Sequence, residues 1–375
     1  MSSKYELTIS SDYVKSWGLY QAVREFFQNS IDREVQSPES SSFFNYDEET
    51  QTLTIGNKNS VLSIDSLLLG VTTKSNNCDT IGQFGEGYKI ATMVLLRLGH
   101  PVTFYNYGAK EVWTTKLFKS RRYNGKLVPT FYVDKNYPWK SVPNVDLTVV
   151  IENITKNEYK DIQEHILCLY GDIGETLECS HDRGTILLDD KFKGKVFVSG
   201  LFVCENKRLH YGYNIPPRNL PLDRDRQTVS DFDLVWETSR MWSTNMETTE
   251  FNTLFYDEDP YDVMYLDSMS AFDSLPLKSK TEFYEKYGKD AVPVLNQEEY
   301  NRILELGGKP VFVTRPVGKC FRTLYNNFTE KSESKSSPYT ALTNWFEDLC
   351  NEVDVPVELY DRFENILEIY QEELS

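Results

Sequence analysis

Ile81-Gly82-Gln83-Phe84-Gly85-Glu86-Gly87-Tyr88-Lys89 sets three glycines at G-x-x-G-x-G spacing directly before an apolar run, Ile90-Ala91-Thr92-Met93-Val94-Leu95-Leu96. Glycines at the mouth of a helix let the backbone bend tightly and come close to a ligand. The unpaired N–H groups of the helix start then face an anion, which the helix dipole also favours. The stretch therefore reads as a phosphate cradle, with Lys89 just inside the helix. Dinucleotide-binding folds use similar glycine spacing. Here no alternating βα unit precedes the glycines, and no Walker-type G-K-[ST] is present. A plain loop entering a core helix is the competing reading.

Upstream, Ser16 to Val35 has helical periodicity. Trp17, Leu19, Tyr20, Val23, Phe26, Phe27 and Ile31 form an apolar stripe. Glu25, Asn29 and Asp32 fall at i, i+4 and i+7, which stacks them in one row. A carboxylate, an amide and a carboxylate in a row suit a magnesium nucleotide. An amide oxygen can ligate Mg²⁺, and the carboxylate one turn earlier can take a proton from an attacking water. A solvated polar face is the alternative. Between the helix and the glycines, Phe43 to Tyr46 and Leu53 to Ile55 read as strand, turn, strand. The loop from Thr72 to Thr80, with Thr73 and Lys74, is placed to close over a ligand. Past the glycine helix, strands are expected at Val102 to Tyr107, Glu111 to Phe118, Thr130 to Val133 and Leu147 to Ile151. A basic interval (Lys116, Lys119, Arg121, Arg122, Lys126) lies among them and reads as a solvated hairpin, with nucleic-acid contact as the alternative.

The whole chain sets the limits. Its 375 residues suffice for two or three domains, and 40% hydrophobic with 14% aromatic residues excludes wholesale disorder. A net charge of −17 argues against a protein that coats nucleic acid nonspecifically or binds anionic membranes, and favours a positively charged partner. The six cysteines form no C-x-x-C pair, which points to reduced thiols rather than a disulfide frame or zinc site. No leader and no bilayer-length apolar run is evident, so a cytoplasmic location is expected.

Taken together, residues 13–153 resemble the GHKL ATPases, the superfamily of the ninety-kilodalton heat-shock chaperones, MutL, MORC proteins, type II topoisomerase ATPase subunits and histidine kinases. Arg24-Glu25-Phe26-Phe27-Gln28-Asn29-Ser30-Ile31-Asp32 looks like the first motif of that family, and Ile81 to Tyr88 looks like its chaperone-type glycine motif. The resemblance implies an α+β chain: a Bergerat-type α/β sandwich over 1–155, a second α+β domain over 156–250, and a mixed, helix-ended region over 251–375. It implies ATP and Mg²⁺ as ligands. Glu25 would be the general base and Asn29 the Mg²⁺ ligand, with Asp32 near the sugar or adenine. Gly82, Gly85 and Gly87 would cradle phosphates, lined by Gln83, Phe84 and Tyr88 and neutralised by Lys89 and Lys74, with Thr73 in the closing loop. Thr148 would support adenine. The usual D-x-G-x-G motif is replaced by Asn57-Lys58-Asn59-Ser60-Val61, so Asn57 keeps an acceptor oxygen without the charge. Histidine kinases carry asparagine where Glu25 stands, so water is the implied acceptor.

In the second domain, Gly184 to Leu188, Lys195 to Cys204 and Leu209 to Tyr213 read as strands, after a helix from Asn157 to Tyr170. By family analogy Arg224 or Arg226 would reach back to the γ-phosphate; capping of a helix near Ser230 is the alternative. Further on, a βαβ unit is expected over 291–313, a polar linker from Thr329 to Ser337, and two acidic helices at the end. Their amphipathic stripe suits core packing or self-association, including a homodimer. The implied function is a slow ATPase acting as a nucleotide-controlled association switch. A non-hydrolysing, acidic interaction protein with weak nucleotide binding is the alternative. The compact sequence is similar to stand-alone GHKL proteins of phage and bacterial genomes.

Overall fold

The computed structural model describes residues 2–67, 87–135, 145–220, 222, 229–266, 275–336 and most of 342–374. By its contacts the chain forms two compact units, Met1–Glu237 and Thr238–Ser375.

The first unit is built on a seven-stranded sheet. In chain order its strands are β1 (Ser3–Glu6), β2 (Ser42–Asp47), β3 (Thr52–Asn57), β4 (Val102–Asn106), β5 (Glu111–Lys119), β6 (Leu127–Asp134) and β7 (Leu147–Ile151). Their order across the sheet is β1-β6-β5-β4-β7-β3-β2, antiparallel throughout. Two helices, α1 (Leu19–Gln36) and α2 (Gly87–Leu98), pack on one face of it. Alternation fixes that face: Leu53, Ile55, Phe104, Val149 and Ile151 point into the same core as Val23, Phe27, Ala91 and Val94.

Local chemistry accounts for the two helices. Gly18 precedes α1, and its N–H donates to Gln21 Oε1 at 2.9 Å, which satisfies one orphan donor of the helix start. Helix α2 starts at Gly87 and buries Ile90, Ala91, Met93, Val94 and Leu95. It stops at Gly99, whose φ of +94° suits a residue without a Cβ, while His100 N–H closes on Leu95 O at 2.9 Å.

A second sheet follows in the same unit, ordered β11-β10-β12-β9-β8. Its strands are β8 (Thr176–Cys179), β9 (Gly184–Leu187), β10 (Lys195–Val198), β11 (Leu201–Glu205) and β12 (Gly212–Ile215). The single strand expected over Lys195 to Cys204 is in fact two, because Ser199 and Gly200 both take positive φ and turn the chain back. Helix α3 (Lys156–Glu164) is shorter than expected, ending at His165 before a 3₁₀ turn at Leu167–Leu169. Ile162, Ile166 and Leu201 join the core of the large sheet.

In the second unit β13 (Ala291–Val294) and β14 (Lys309–Phe312) pair in parallel across the helix Gln297–Glu305, the expected βαβ unit. The expected polar linker at Thr329 to Ser337 is largely helix, part of Arg322–Ser336. Thr329 Oγ1 donates back to Tyr325 O at 3.1 Å, so a polar composition is accommodated within helical backbone. Phe363 of the last helix, Val357–Leu374, stacks on Phe346 at 3.8 Å. Among the described residues no helix is long and apolar enough to cross a membrane.

Candidate functional site

Helix α1 buries more than its apolar stripe. Arg24, Glu25, Gln28 and Asp32 are all buried beside Val23, Phe26 and Phe27. Burying charge in a helix is costly unless partners compensate. Glu25, 2% exposed, has the Arg24 guanidinium 3.8 Å from its Oε1. Its other oxygen abuts the start of α2. A Cβ built on Gly87 would stand 2.0 Å from Glu25 Oε2. So the acidic face of α1 and the glycine end of α2 are adjacent, and the absence of a side chain at 87 is what lets them meet. Lys89, two residues on, is fully buried.

Asn29 sits one turn along from Glu25, half-buried, and its Nδ2 donates to Glu25 O at 2.7 Å. The oxygen of that amide is then the atom suited to a hard cation. Asp32 continues the row, 1% exposed. The expected line of Glu25, Asn29 and Asp32 along α1 is present.

Asn57, at the end of β3, is 5% exposed. Its Nδ2 donates to Ser30 O of α1 and to Ser40 O, each at 2.9 Å. Both amide hydrogens are thereby engaged, and turning the amide over would set oxygen against two carbonyls. Ser30 Oγ in turn donates to Gly56 O at 3.1 Å. Asn57 thus ties β3 to α1 and leaves Oδ1 as its acceptor.

Thr148 is not brought to Asn57. The register pairs Asn57 with Leu147 and Gly56 with Thr148. Paired residues share a face, so Leu147 is the β7 side chain on Asn57's side. Thr148 points to the helix-free face, one residue out of phase with the adenine role expected for it. Tyr88 is likewise engaged structurally. Its hydroxyl donates to Ser66 O at 2.8 Å and stands 2.8 Å from Ser66 Oγ, and burial pushes the phenol well above its ordinary value. Thr73, Lys74, Gly82, Gln83, Phe84, Gly85, Arg224 and Arg226 lie outside the described residues.

Sequence reading missed a second polar row on α1. Tyr20, Arg24 and Gln28 recur every four residues and face the second sheet. Tyr20 Oη donates to Phe202 O at 2.8 Å, and its ring lies against His165, tilted by 31° at a centroid distance of 4.3 Å. Arg24 and Gln28 line a small cleft with Val198, Leu201, Phe202 and Leu222. Leu222 thus lies beside Arg24, the residue before Glu25 on α1. The i, i+4, i+8 spacing was the available signal.

No family model matches this sequence, and no curated protein matches it. Solved structures do. The ATPase region of Saccharomyces cerevisiae topoisomerase II is 11% identical over 60% of this chain and 83% of that chain, with a TM-score of 0.37. The same region bound to ICRF-187 (dexrazoxane) is 9% identical over 61% and 84%, also at 0.37. The ATPase and transducer domains of DNA topoisomerase II from Balamuthia mandrillaris are 13% identical over 54% and 66%, at 0.32.

Proposed function

We propose that this chain binds ATP with Mg²⁺ between α1 and the start of α2, hydrolyses it slowly, and uses the bound nucleotide to switch an association surface. The observation that carries the reading is the Glu25 carboxylate set against Gly87. A buried carboxylate beside a side-chain-free helix start is the pairing that hydrolysis at a helix-bound phosphate needs.

The residues present fit the ligands. Asn29 offers an amide oxygen to Mg²⁺, and bound Mg²⁺ would neutralise charge on the phosphates. The start of α2 at Gly87, with the Glu25 carboxylate set against it, would offer its N–H groups to a phosphate, and buried Lys89 adds positive charge in its first turn. Glu25 orients the attacking water and takes its proton. Arg224 or Arg226 would supply positive charge toward the terminal phosphate and report its presence to the second sheet. Asn57 Oδ1 is the acceptor for an exocyclic amine of the base.

Glu25→Ala tests the reading. Calorimetric ATP affinity should persist while phosphate release falls by about two to four decades. Parental turnover in that variant removes Glu25 as the base. A second reading, a non-hydrolysing interaction protein with weak nucleotide binding, is favoured by Asn57, whose amide is already committed to holding β3 against α1. Titration with ATP and magnesium separates the two: silence at millimolar ligand supports the second.

A further inference from the structure

Residues 112–133 contain five basic side chains and no acid, in a chain whose net charge is −17. Setting Lys116, Lys119, Arg121, Arg122 and Lys126 aside takes the chain to −22, so positive charge is concentrated here against the general trend. These residues lie on the β5–β6 hairpin, the longest strand pairing of the large sheet. All five are exposed, and none is ion-paired among the described residues. Glu6, on the adjoining edge strand, is taken by Lys4 at 2.7 Å and by Ser120 Oγ, which donates to it at 2.6 Å; of the five bases only Arg122 acts on it, and that without a direct ion pair.

The hairpin is stiff. Gly125 N–H donates to Ser120 O at 2.8 Å, and Ser120 N–H to Lys126 O at 3.0 Å. Asn124 and Gly125 take the positive φ values that close the turn. Ser120 itself is fully buried. An aromatic ring stands among the charges. Leu117 packs toward the helical core, so Lys116 and Phe118 on either side of it face the helix-free side. Phe118 is 38% exposed, with Lys4 Nζ 3.5 Å from its ring centre. Tyr132 pairs with Lys4 on that same face.

We infer that this hairpin is a contact surface for single-stranded nucleic acid, the phosphates meeting its lysines and arginines and a base stacking on Phe118. Unpaired cations on a fixed scaffold release counterions from a phosphate chain without first breaking internal ion pairs. The Arg121-Arg122 pair offers planar forks that match phosphate oxygens. An exposed ring among the cations is what single-strand binding uses and what an acidic peptide does not need. The acidic remainder of the chain repels a polyanion, so the contact is local and strongly dependent on salt.

The test is fluorescence anisotropy of a labelled 20-nucleotide single strand with the full chain, without nucleotide, from about 20 to 200 mM salt, a range over which such contacts weaken steeply. Binding at low salt is expected, weakening by a log–log slope of about −0.7 per phosphate met. Arg121→Gln with Arg122→Gln should make the slope shallower by about 1.4. Phe118→Ala should weaken binding roughly tenfold at unchanged slope. No binding at about 20 mM salt, or binding unaltered in a variant with all five bases changed to Gln, overturns the inference. Displacement by poly-glutamate as effective as by unlabelled strand assigns the surface to an acidic protein instead and also overturns it. Tighter binding of the matching duplex, whose bases cannot stack on Phe118, overturns it as well.

Discussion

Glu25 and Asn57 are both buried polar side chains beside α1, and they are held in opposite ways. Asn57 is committed: two backbone carbonyls, from Ser30 and Ser40, hold its amide in one orientation. Glu25 rests against a glycine, at a place where any side chain would collide with it. A residue held by backbone partners explains itself as structure. A buried acid set against a glycine at a helix start is also placed for chemistry, and the phosphate end of the proposed site rests on that placement.

Breaking that contrast at its strongest point should have the largest effect. Glu25→Ala should lower ATP turnover by about two to four decades, read as phosphate release, with the melting curve retained. Gly87→Val should abolish nucleotide binding by calorimetry, because its side chain would crowd the start of α2 and drive the Glu25 carboxylate toward the proposed phosphates; parental affinity would disconnect Gly87 from the site. Asn57→Asp should cost about 3 kcal/mol of stability in urea unfolding, since a carboxylate would face the Ser30 and Ser40 carbonyls. If Asn57→Asp instead tightens ATP binding with no loss of stability, position 57 serves the base and not the fold.

Smaller effects sharpen the comparison. Burial pushes the Tyr20 phenol up to about 12, although Arg24 acts in the other direction. The folded pKa lies above the unfolded one, so the stability contributed by neutral Tyr20 is fully present below pH 10. It is lost as pH rises from there through 12, by about 3 kcal/mol at most. Tyr20→Phe should flatten that alkaline slope in urea unfolding. Tyr88→Phe should cost about 1 kcal/mol through the lost bond to Ser66, with turnover unchanged; a fall in turnover would return Tyr88 to the site.

Much of the large sheet and both of its helices were legible because their periods are strong. Leu53 to Ile55 and Leu147 to Ile151 are short runs rich in β-branched residues, and the apolar run of α2 is too long for an average strand. What escaped was short or out of phase. Strands Ser3–Glu6 and Thr176–Cys179 are four residues each, too short for a pattern. The turn at Ser199-Gly200 hid inside a run that reads as one strand. Thr148 was assigned to adenine by motif likeness, but a two-residue period makes a shift of one position a change of face.

The sequence by itself determined the helical row of Glu25, Asn29 and Asp32, the glycine entry to α2, and the acidic balance of the chain, because composition and local periodicity need no knowledge of distant contacts. Tertiary structure alone decided that Glu25 meets Gly87, that Asn57 is tied to Ser30 and Ser40, and that Leu147 rather than Thr148 shares its side of the sheet. Those facts depend on strand register and helix packing between residues far apart in the chain, and hydrogen bonds and steric fit at that range are set only when the core closes.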